Sequence, residues 1–118
     1  MKAKKIIAID FDGTIAETNF PDIIKPISGA IKTITDLYNS GHTLILWTCR
    51  EGESLAQANS WLRDMVIADC FSEINTHTRA QIEEWGTNPR KVAADVYIDD
   101  RACGWDGWES VRKYFELD

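Results

Sequence analysis

The sequence predicts a single α/β domain built on a mainly parallel β-sheet. Apolar runs of strand length alternate along the chain with stretches whose apolar residues recur at helical spacing, which is typical of strand–helix–strand units. Strands separated by helices favour a parallel sheet with right-handed crossovers. The carboxyl ends of the strands should then lie at one edge of the sheet. The 118 residues suffice for one domain with its own core, so one domain is predicted over residues 1–118.

The first third of the chain is predicted to hold a strand, a loop and a helix. A strand is predicted over residues 5–10, because the apolar run 6–9 within it is typical of a strand covered on both faces. Two prolines make the segment 16–27 a loop or short flap. Ser28 is the expected N-cap of a helix that continues to about Asn39, and Gly41 ends this helix.

The rest of the chain continues the alternation. Further strands are predicted at 42–48, 70–75 and 92–98, and further helices at 53–65 and 109–115. The segment 76–90 is ambiguous, with one helical turn around Ile82 and Trp85. With helices on both faces of the sheet, the predicted architecture is a Rossmann-like three-layer α/β/α sandwich.

Composition restricts the partners and the compartment. The net charge of −6 argues against nucleic acid as a partner, because nucleic-acid grooves are lined with basic residues. The three cysteines lack Cys-x-x-Cys spacing, which argues against a structural zinc site. Their odd number favours reduced thiols, and therefore a cytoplasmic protein. The apolar run before Asp10 is far shorter than the about 7–15 residues of a secretory signal or the about 20 of a membrane span, so neither is expected.

Polar side chains follow three of the predicted strands at the point where each strand ends. Asp10 and Asp12 follow the first strand, Thr48 ends the second, and Asp99 and Asp100 follow the last. Because the carboxyl ends of parallel strands lie at one edge of a sheet, these groups can converge. The sequence therefore predicts a catalytic site at that edge.

These residues resemble the motifs of the haloacid dehalogenase (HAD) superfamily of phosphohydrolases over nearly the whole chain. The first motif of the family, an apolar strand followed by Asp-x-Asp-Gly-Thr, is matched by Asp10–Thr14. The second, an apolar strand that ends in Thr or Ser, is matched by Leu44–Thr48. The third, a lone Lys, is matched best by Lys91, and the fourth, an acidic pair, by Asp99 and Asp100.

The resemblance implies a phosphatase that forms an aspartyl-phosphate. Asp10 would attack phosphorus, and Asp12 would protonate the leaving oxygen and then deprotonate the attacking water. Catalytic roles fall on Asp10, Asp12, Thr48 and Lys91. The residues expected to bind the phosphorylated substrate are Thr48, Cys49, Arg50 and Lys91.

A divalent cation is predicted on electrostatic grounds. Two like charges about 4 Å apart repel by roughly 4 kcal/mol at an effective dielectric near 20. Four carboxylates and a phosphate dianion therefore need a compensating charge, and hard oxygen ligands with a phosphate favour Mg²⁺. The expected ligands are Asp10, Asp12, Asp99 and Asp100.

Several of these residues have simpler interpretations. Asp and Thr are common in turns and at strand ends, which applies to the acidic pairs and to Thr48. Arg90 is as well placed as Lys91 to bind phosphate, and both could be exposed loop charges. Arg50 and Arg101 either meet a substrate anion or are ordinary surface charges. The tryptophans Trp105 and Trp108 either line a substrate pocket or anchor the last helix, which we favour slightly.

Many members of the HAD superfamily carry a cap domain that closes over small substrates, and the gaps between the motifs of this chain are too short for one. The segments 15–42 and 49–90 each have room for little more than one helix and a loop. A capless site takes a macromolecular substrate, is covered by a second subunit of a homo-oligomer, or tolerates exposure, and the sequence does not choose among these.

Two rival functions use the same carboxylate chemistry. A receiver-like module would accept a phosphoryl group on Asp without turnover, but its motif order differs from the order in this chain. A phosphotransferase would pass the group from Asp10 to an acceptor other than water. The sequence predicts neither the physiological substrate nor the oligomeric state.

Overall fold

The computed structural model describes residues 3–118. Six strands are present in this part of the chain: β1 (Ile6–Ile9), β2 (Ala16–Asn19), β3 (Asp22–Pro26), β4 (Thr43–Leu46), β5 (Phe71–Ile74) and β6 (Val96–Ile98). The helices are α1 (Ala30–Asn39), α2 (Gly52–Asp64), α3 (Arg79–Trp85) and α4 (Gly107–Tyr114), and a 3₁₀ turn covers Ala68–Cys70. The main sheet has the order β5-β4-β1-β6, and every neighbouring pair is parallel. The predicted α/β class with a parallel sheet is confirmed.

The segment 16–27 is a β-hairpin rather than the expected loop. Strands β2 and β3 pair antiparallel as a separate two-stranded sheet. The two prolines made a strand seem improbable from the sequence, because proline has no backbone N–H to donate to a neighbouring strand. In the structure they do not disturb the pairing, since Pro21 is in the connection between the strands and Pro26 is the last residue of β3. The hairpin directly follows the first acidic motif and so lies beside the predicted site.

Several element boundaries differ from the predicted ones. The N-cap of α1 is Gly29, with no side-chain hydrogen bond, so the expectation of Ser28 is wrong. The ambiguous segment contains α3, which begins with a capping box of Thr78 and Gln81. The last strand begins at Val96, four residues later than the apolar run suggested, because Val92 packs as a loop residue.

Most of the core lies on one face of the main sheet. Alternate residues of β1 and β4 point to this face and meet α1, α2 and α4. The fully buried members include Ile7 and Ile9 from the sheet, Ile34 and Ala58 from the helices, and Phe11 from the turn after β1. Three amphipathic helices thus hold the strands that carry the acidic residues.

The opposite face has a smaller core. Ala8 and Ile45 pack there with Val92 from the loop before β6. The segment with α3 is tied to this loop, since the Gln81 side chain donates a hydrogen bond to the backbone carbonyl of Ala93. The helical cover of the two faces is therefore unequal.

The register of the parallel strands sets the position of the acidic motifs. Ile9, the last residue of β1, is level with Leu46 of β4 and Ile98 of β6. The ladder extends one step further, because the backbone N–H of Asp10 donates to the carbonyl of Ile98 at 2.9 Å. Asp10 and Asp99 thus leave neighbouring strands at the same height. Within residues 3–118, no helix has the length and apolar character that crossing a membrane requires.

Candidate active site

Three carboxylates from the two ends of the chain meet at the carboxyl edge of the sheet. Asp10, Asp99 and Asp100 each place one carboxylate oxygen within 4.8 Å of the others, and all three side chains are partly buried. Asp99 is fixed in part by its own turn, since its Oδ1 accepts a hydrogen bond from the backbone N–H of Arg101 at 2.9 Å. The geometry brings together three of the four predicted metal ligands.

Thr14 holds two of these carboxylates in place. Its hydroxyl oxygen lies 3.0 Å from Oδ2 of Asp10 and 2.9 Å from Oδ1 of Asp100, and it accepts the backbone N–H of Asp100 at 2.8 Å. A hydroxyl has one proton, so it donates to one of the two carboxylates at a time. Thr14 is fully buried, which makes it a structural bridge between the first and last motifs.

The close carboxylates change the proton affinity of Asp10. Burial raises its pKa to about 7, the Thr14 hydrogen bond opposes this shift, and the charges of Asp99 and Asp100 add to it. Burial disfavours the charged form of Asp10, and repulsion from the two neighbouring carboxylates disfavours it further. A cation bound among the three carboxylates would offset the repulsion.

Gly13 is required by the close packing of this cluster. Its φ is +82°, a conformation that residues with a side chain rarely adopt. A Cβ atom built at this position would lie 2.4 Å from Oδ2 of Asp100 and 2.9 Å from its Cγ. Glycine therefore serves both the turn after β1 and the approach of Asp100.

Asp12 lies outside the acidic cluster and pairs with Arg50. The Nε and Nη2 atoms of Arg50 donate to the two carboxylate oxygens of Asp12 at 2.9 and 2.8 Å. Partial burial raises the pKa of Asp12, but hydrogen bonds from Arg50 and Thr18 outweigh it, and the net shift is downward. The structure thus separates Asp12 from the other three predicted metal ligands.

Arg50 is not a surface charge. It is 1% exposed, and besides Asp12 its guanidinium donates to the backbone carbonyls of Ser54 at 3.0 Å and Pro21 at 3.1 Å. The guanidinium carbon also lies over the ring of Phe11, 5.2 Å from its centroid. Four of its five N–H groups are thereby used, so Arg50 has little capacity left for the substrate contact that the sequence predicted.

Thr48 is held by a residue that the sequence pattern did not single out. The backbone N–H of Thr48 donates to the Asn75 side chain, and that side chain donates to the Thr48 carbonyl, both at 2.8 Å. Asn75 directly follows β5 and has a φ of +57°. The Thr48 hydroxyl accepts the N–H of Arg50 at 3.1 Å, so it also shapes the turn that carries Arg50.

A cavity of about 500 Å³ opens above these residues. Its walls are formed by the acidic motifs, by the β2–β3 hairpin and by the turn after β4: Asp10, Asp12, Thr18, Asn19, Phe20, Cys49, Arg50, Asp99 and Arg101. Cys49 is an exposed free thiol on this wall. Such a volume is typical of small-molecule sites.

The predicted phosphate-binding Lys91 faces a different cavity. This second cavity has a volume of about 440 Å³ and is lined by Trp47, Tyr97 and Lys91, among others. Among the described residues, only Asp99 lines both cavities. The Lys91 Nζ lies 5.7 Å from the centroid of the Tyr97 ring. Arg90, its rival for the role, is exposed. Neither basic side chain lines the cavity that holds Asp10.

The tryptophans after the last acidic motif are anchors in this structure. Trp108 is 3% exposed, and its indole N–H donates to the backbone carbonyl of Thr14 at 2.7 Å. Trp105 packs edge-on against it, with ring centroids 6.2 Å apart. The last helix is thus fixed to the turn that carries Thr14.

A solved structure is similar to this one over nearly the whole chain. It is described as the structure of the conserved protein coded by a locus from Bacteroides thetaiotaomicron, with 36% sequence identity and a TM-score of 0.84. The match covers 97% of this chain and 91% of the Bacteroides chain. This chain belongs to the same family as that Bacteroides protein. No protein-family model matches the chain, and neither does any curated protein.

The description of the Bacteroides protein names no activity. The similarity therefore supports the fold, and the function has to be inferred from the site. Sequence reasoning missed the roles of Thr14 and Asn75 and understated that of Arg50. Thr14 was visible as the last residue of the first motif. Asn75, at the end of a short strand, gave the weak signal of a polar residue at the carboxyl edge of the sheet. Arg50 gave no local signal of burial.

Proposed function

We propose that this chain is a Mg²⁺-dependent phosphomonoester phosphatase of the HAD superfamily, with Asp10 as the nucleophile. One observation carries the proposal: carboxylates from the ends of β1 and β6 converge to within 4.8 Å at the carboxyl edge of a parallel sheet. Ligand sites of open α/β sheets lie at this edge.

The donor set fits a hard divalent cation. Three carboxylates provide the oxygen ligands that Mg²⁺ prefers. Burial raises the pKa of Asp10, and the charges of Asp99 and Asp100 add to this shift, which a bound cation would oppose. Asp10, Asp99 and Asp100 would hold the ion, and Asp12, whose carboxylate is engaged by Arg50, would not be a side-chain ligand. When bound, the ion offsets the charge of the carboxylates and of the phosphate.

One contact supports the covalent role that we propose for Asp10. The Thr14 hydroxyl lies 3.0 Å from Oδ2 of Asp10 and restrains this end of the carboxylate. In the proposed reaction a carboxylate oxygen of Asp10 bonds to phosphorus as the bond from phosphorus to the leaving oxygen breaks. Water then attacks phosphorus, which releases inorganic phosphate and restores the carboxylate.

Asp12 supports one half of its predicted role better than the other. Arg50 favours the ionised form of Asp12, and an ionised carboxylate can take the proton from the attacking water. To protonate the leaving oxygen, Asp12 must first hold a proton, which Arg50 opposes. The acid half of the role therefore requires Asp12 to separate from Arg50, or a leaving group that needs no proton.

The test is phosphate release from a panel of phosphomonoesters, with Mg²⁺ and with a chelator. We expect turnover that depends on Mg²⁺ and is abolished in Asp10→Asn, whereas Asp69→Asn, an exposed carboxylate outside the cavity, retains it. During turnover, the peptide that contains Asp10 should carry one phosphoryl group by mass spectrometry. Full activity of Asp10→Asn would refute the proposal.

The same experiment separates the rival functions. A stable phosphoenzyme with little phosphate release would indicate a receiver-like module. Phosphoryl transfer to an added alcohol in preference to water would indicate a phosphotransferase.

A further inference from the structure

Phe20 is an exposed aromatic residue on the wall of the candidate active site. It follows β2 at the tip of the hairpin, lines the cavity with Asp10 and Asp12, and is 63% exposed. An apolar ring left in water at the edge of a cavity gains free energy when a ligand covers it. Its exposure alone would be ordinary, but its position on the wall of the cavity places it where a bound ligand can cover it.

The Arg50 guanidinium packs against one face of the Phe20 ring. The guanidinium carbon of Arg50 lies 4.9 Å from the centroid of Phe20, and the same guanidinium packs on Phe11. Arg50 is buried and bound to Asp12 and to the carbonyl of Pro21, so it fixes one face of the Phe20 ring. A ring supported in this way loses little freedom when a ligand stacks on it.

We propose that Phe20 is a stacking surface for a planar ring in the leaving group of the substrate. The substrate class is then a phosphomonoester that carries a planar, aromatic or heteroaromatic, ring. This inference rests on the proposed phosphatase function and narrows it. Stacking on an aromatic side chain prefers an offset or edge arrangement and accepts any flat ring. The neighbouring Asn19 amide, on the same wall, adds hydrogen-bonding capacity for a heteroatom at the ring edge.

The experiment compares one substrate pair that differs in the base and adds a third substrate that has a ring but no sugar. Adenosine 5′-monophosphate and ribose 5-phosphate share the phosphate and the sugar, and 4-nitrophenyl phosphate has a ring without a base edge. Phe20→Leu keeps apolar packing on Arg50 but removes the flat face, and Phe20→Tyr restores the face. Ile24→Ala is the matched control, because Ile24 is 54% exposed on the same hairpin but does not line this cavity.

We expect Phe20→Leu to lower kcat/KM about tenfold for the two ring substrates, the value of one lost stacking contact. For ribose 5-phosphate the change should be much smaller, and Phe20→Tyr and Ile24→Ala should keep the wild-type preference. An equal loss for all three substrates would assign Phe20 to the support of Arg50 and overturn the proposal. So would a wild-type enzyme that does not prefer adenosine 5′-monophosphate over ribose 5-phosphate.

A binding measurement separates this inference from the phosphatase proposal. Calorimetric titration of Asp10→Asn with adenosine 5′-monophosphate and with ribose 5-phosphate, in Mg²⁺, tests stacking without turnover. We expect tighter binding of the nucleotide, and loss of that difference when Phe20→Leu is added. Equal affinities would refute the stacking role even if phosphate release is found. Absence of phosphate release with a Phe20-dependent difference would refute only the phosphatase.

Discussion

The substitution Gly13→Ala should disrupt the proposed metal site. It should cost little more stability than the strained backbone conformation of an alanine at this position imposes. An alanine at φ +82° is strained, at a cost of about 1–2 kcal/mol for an L residue in the left-handed region. The new Cβ would also lie 2.4 Å from Oδ2 of Asp100, so this carboxylate must turn away. Because the obstacle is a side chain and not backbone, the cost of moving it is roughly the lost Thr14 hydrogen bond, about 1 kcal/mol.

Gly86→Ala is the matched control. Gly86 has a φ of +74° at the end of α3, and a Cβ there would meet no atom within 4 Å. Both variants therefore share the backbone strain, and only Gly13→Ala displaces a carboxylate. In urea titrations we expect both to lose about 1–2 kcal/mol, with about 1 kcal/mol more for Gly13→Ala.

The decisive measurement is the Mg²⁺ concentration that gives half of the maximal thermal stabilisation. Displacing a supporting group of a metal site typically lowers affinity about 10- to 100-fold, and loss of a direct ligand should lie at or above the upper end of that range. We expect this shift for Gly13→Ala and none for Gly86→Ala. A Gly13→Ala variant with wild-type Mg²⁺ dependence would refute both the role of Asp100 as a ligand and the interpretation of the glycine.

Three further outcomes follow from the contacts around the site. Without divalent cations, the free energy of unfolding should fall as pH rises from about 4 to about 7. The reason is that Asp10 keeps its proton up to a pKa of about 7 in the folded chain but loses it near 3.8 in the unfolded chain. Urea titrations at several pH values should show this slope, and Asp10→Asn should flatten it. Trp108→Phe removes the hydrogen bond to the Thr14 carbonyl and should cost about 1–3 kcal/mol by urea titration. Asn75→Gly keeps the backbone conformation but removes both hydrogen bonds to Thr48, and should cost about 2 kcal/mol and lower kcat/KM for phosphate release.

The sequence predicted the elements whose local pattern and tertiary role agree. Strand β1 is an uninterrupted apolar run buried on both faces, and its acids follow at once, so the position of Asp10 could be predicted from the residues next to it. The convergence with Asp99 and Asp100 followed from the parallel arrangement, which brings strand ends to one edge. The hairpin was missed because Pro21 and Pro26 suppress the strand signal where they do no harm to pairing.

The sequence could not predict contacts between distant segments. Arg50 stands next to a polar turn, which is typical of an exposed charge, and only the packing of the hairpin and Phe11 around it produces burial. Lys91 was placed by its order among the motifs, but the loop before β6 turns it toward Tyr97 and a second cavity. Its catalytic role stays a prediction. Asn75 is separated by 27 residues from the threonine that it holds.

The two acids of the first motif have pKa shifts opposite to those that their proposed roles need. A nucleophile should be ionised and an acid should hold its proton, yet the pKa of Asp10 is raised and that of Asp12 is lowered. Burial is the main cause of the raised pKa of Asp10, and the charges of Asp99 and Asp100 add to it, whereas hydrogen bonds from Arg50 and Thr18 lower the pKa of Asp12 against the effect of its burial. A cation among Asp10, Asp99 and Asp100 would favour the ionised nucleophile, and a phosphate dianion beside Asp12 would oppose the effect of Arg50. The cation would thus increase the ionised fraction of Asp10, and the bound phosphate would favour the protonated form of Asp12 that the acid half of its role needs, so activity should depend on Mg²⁺.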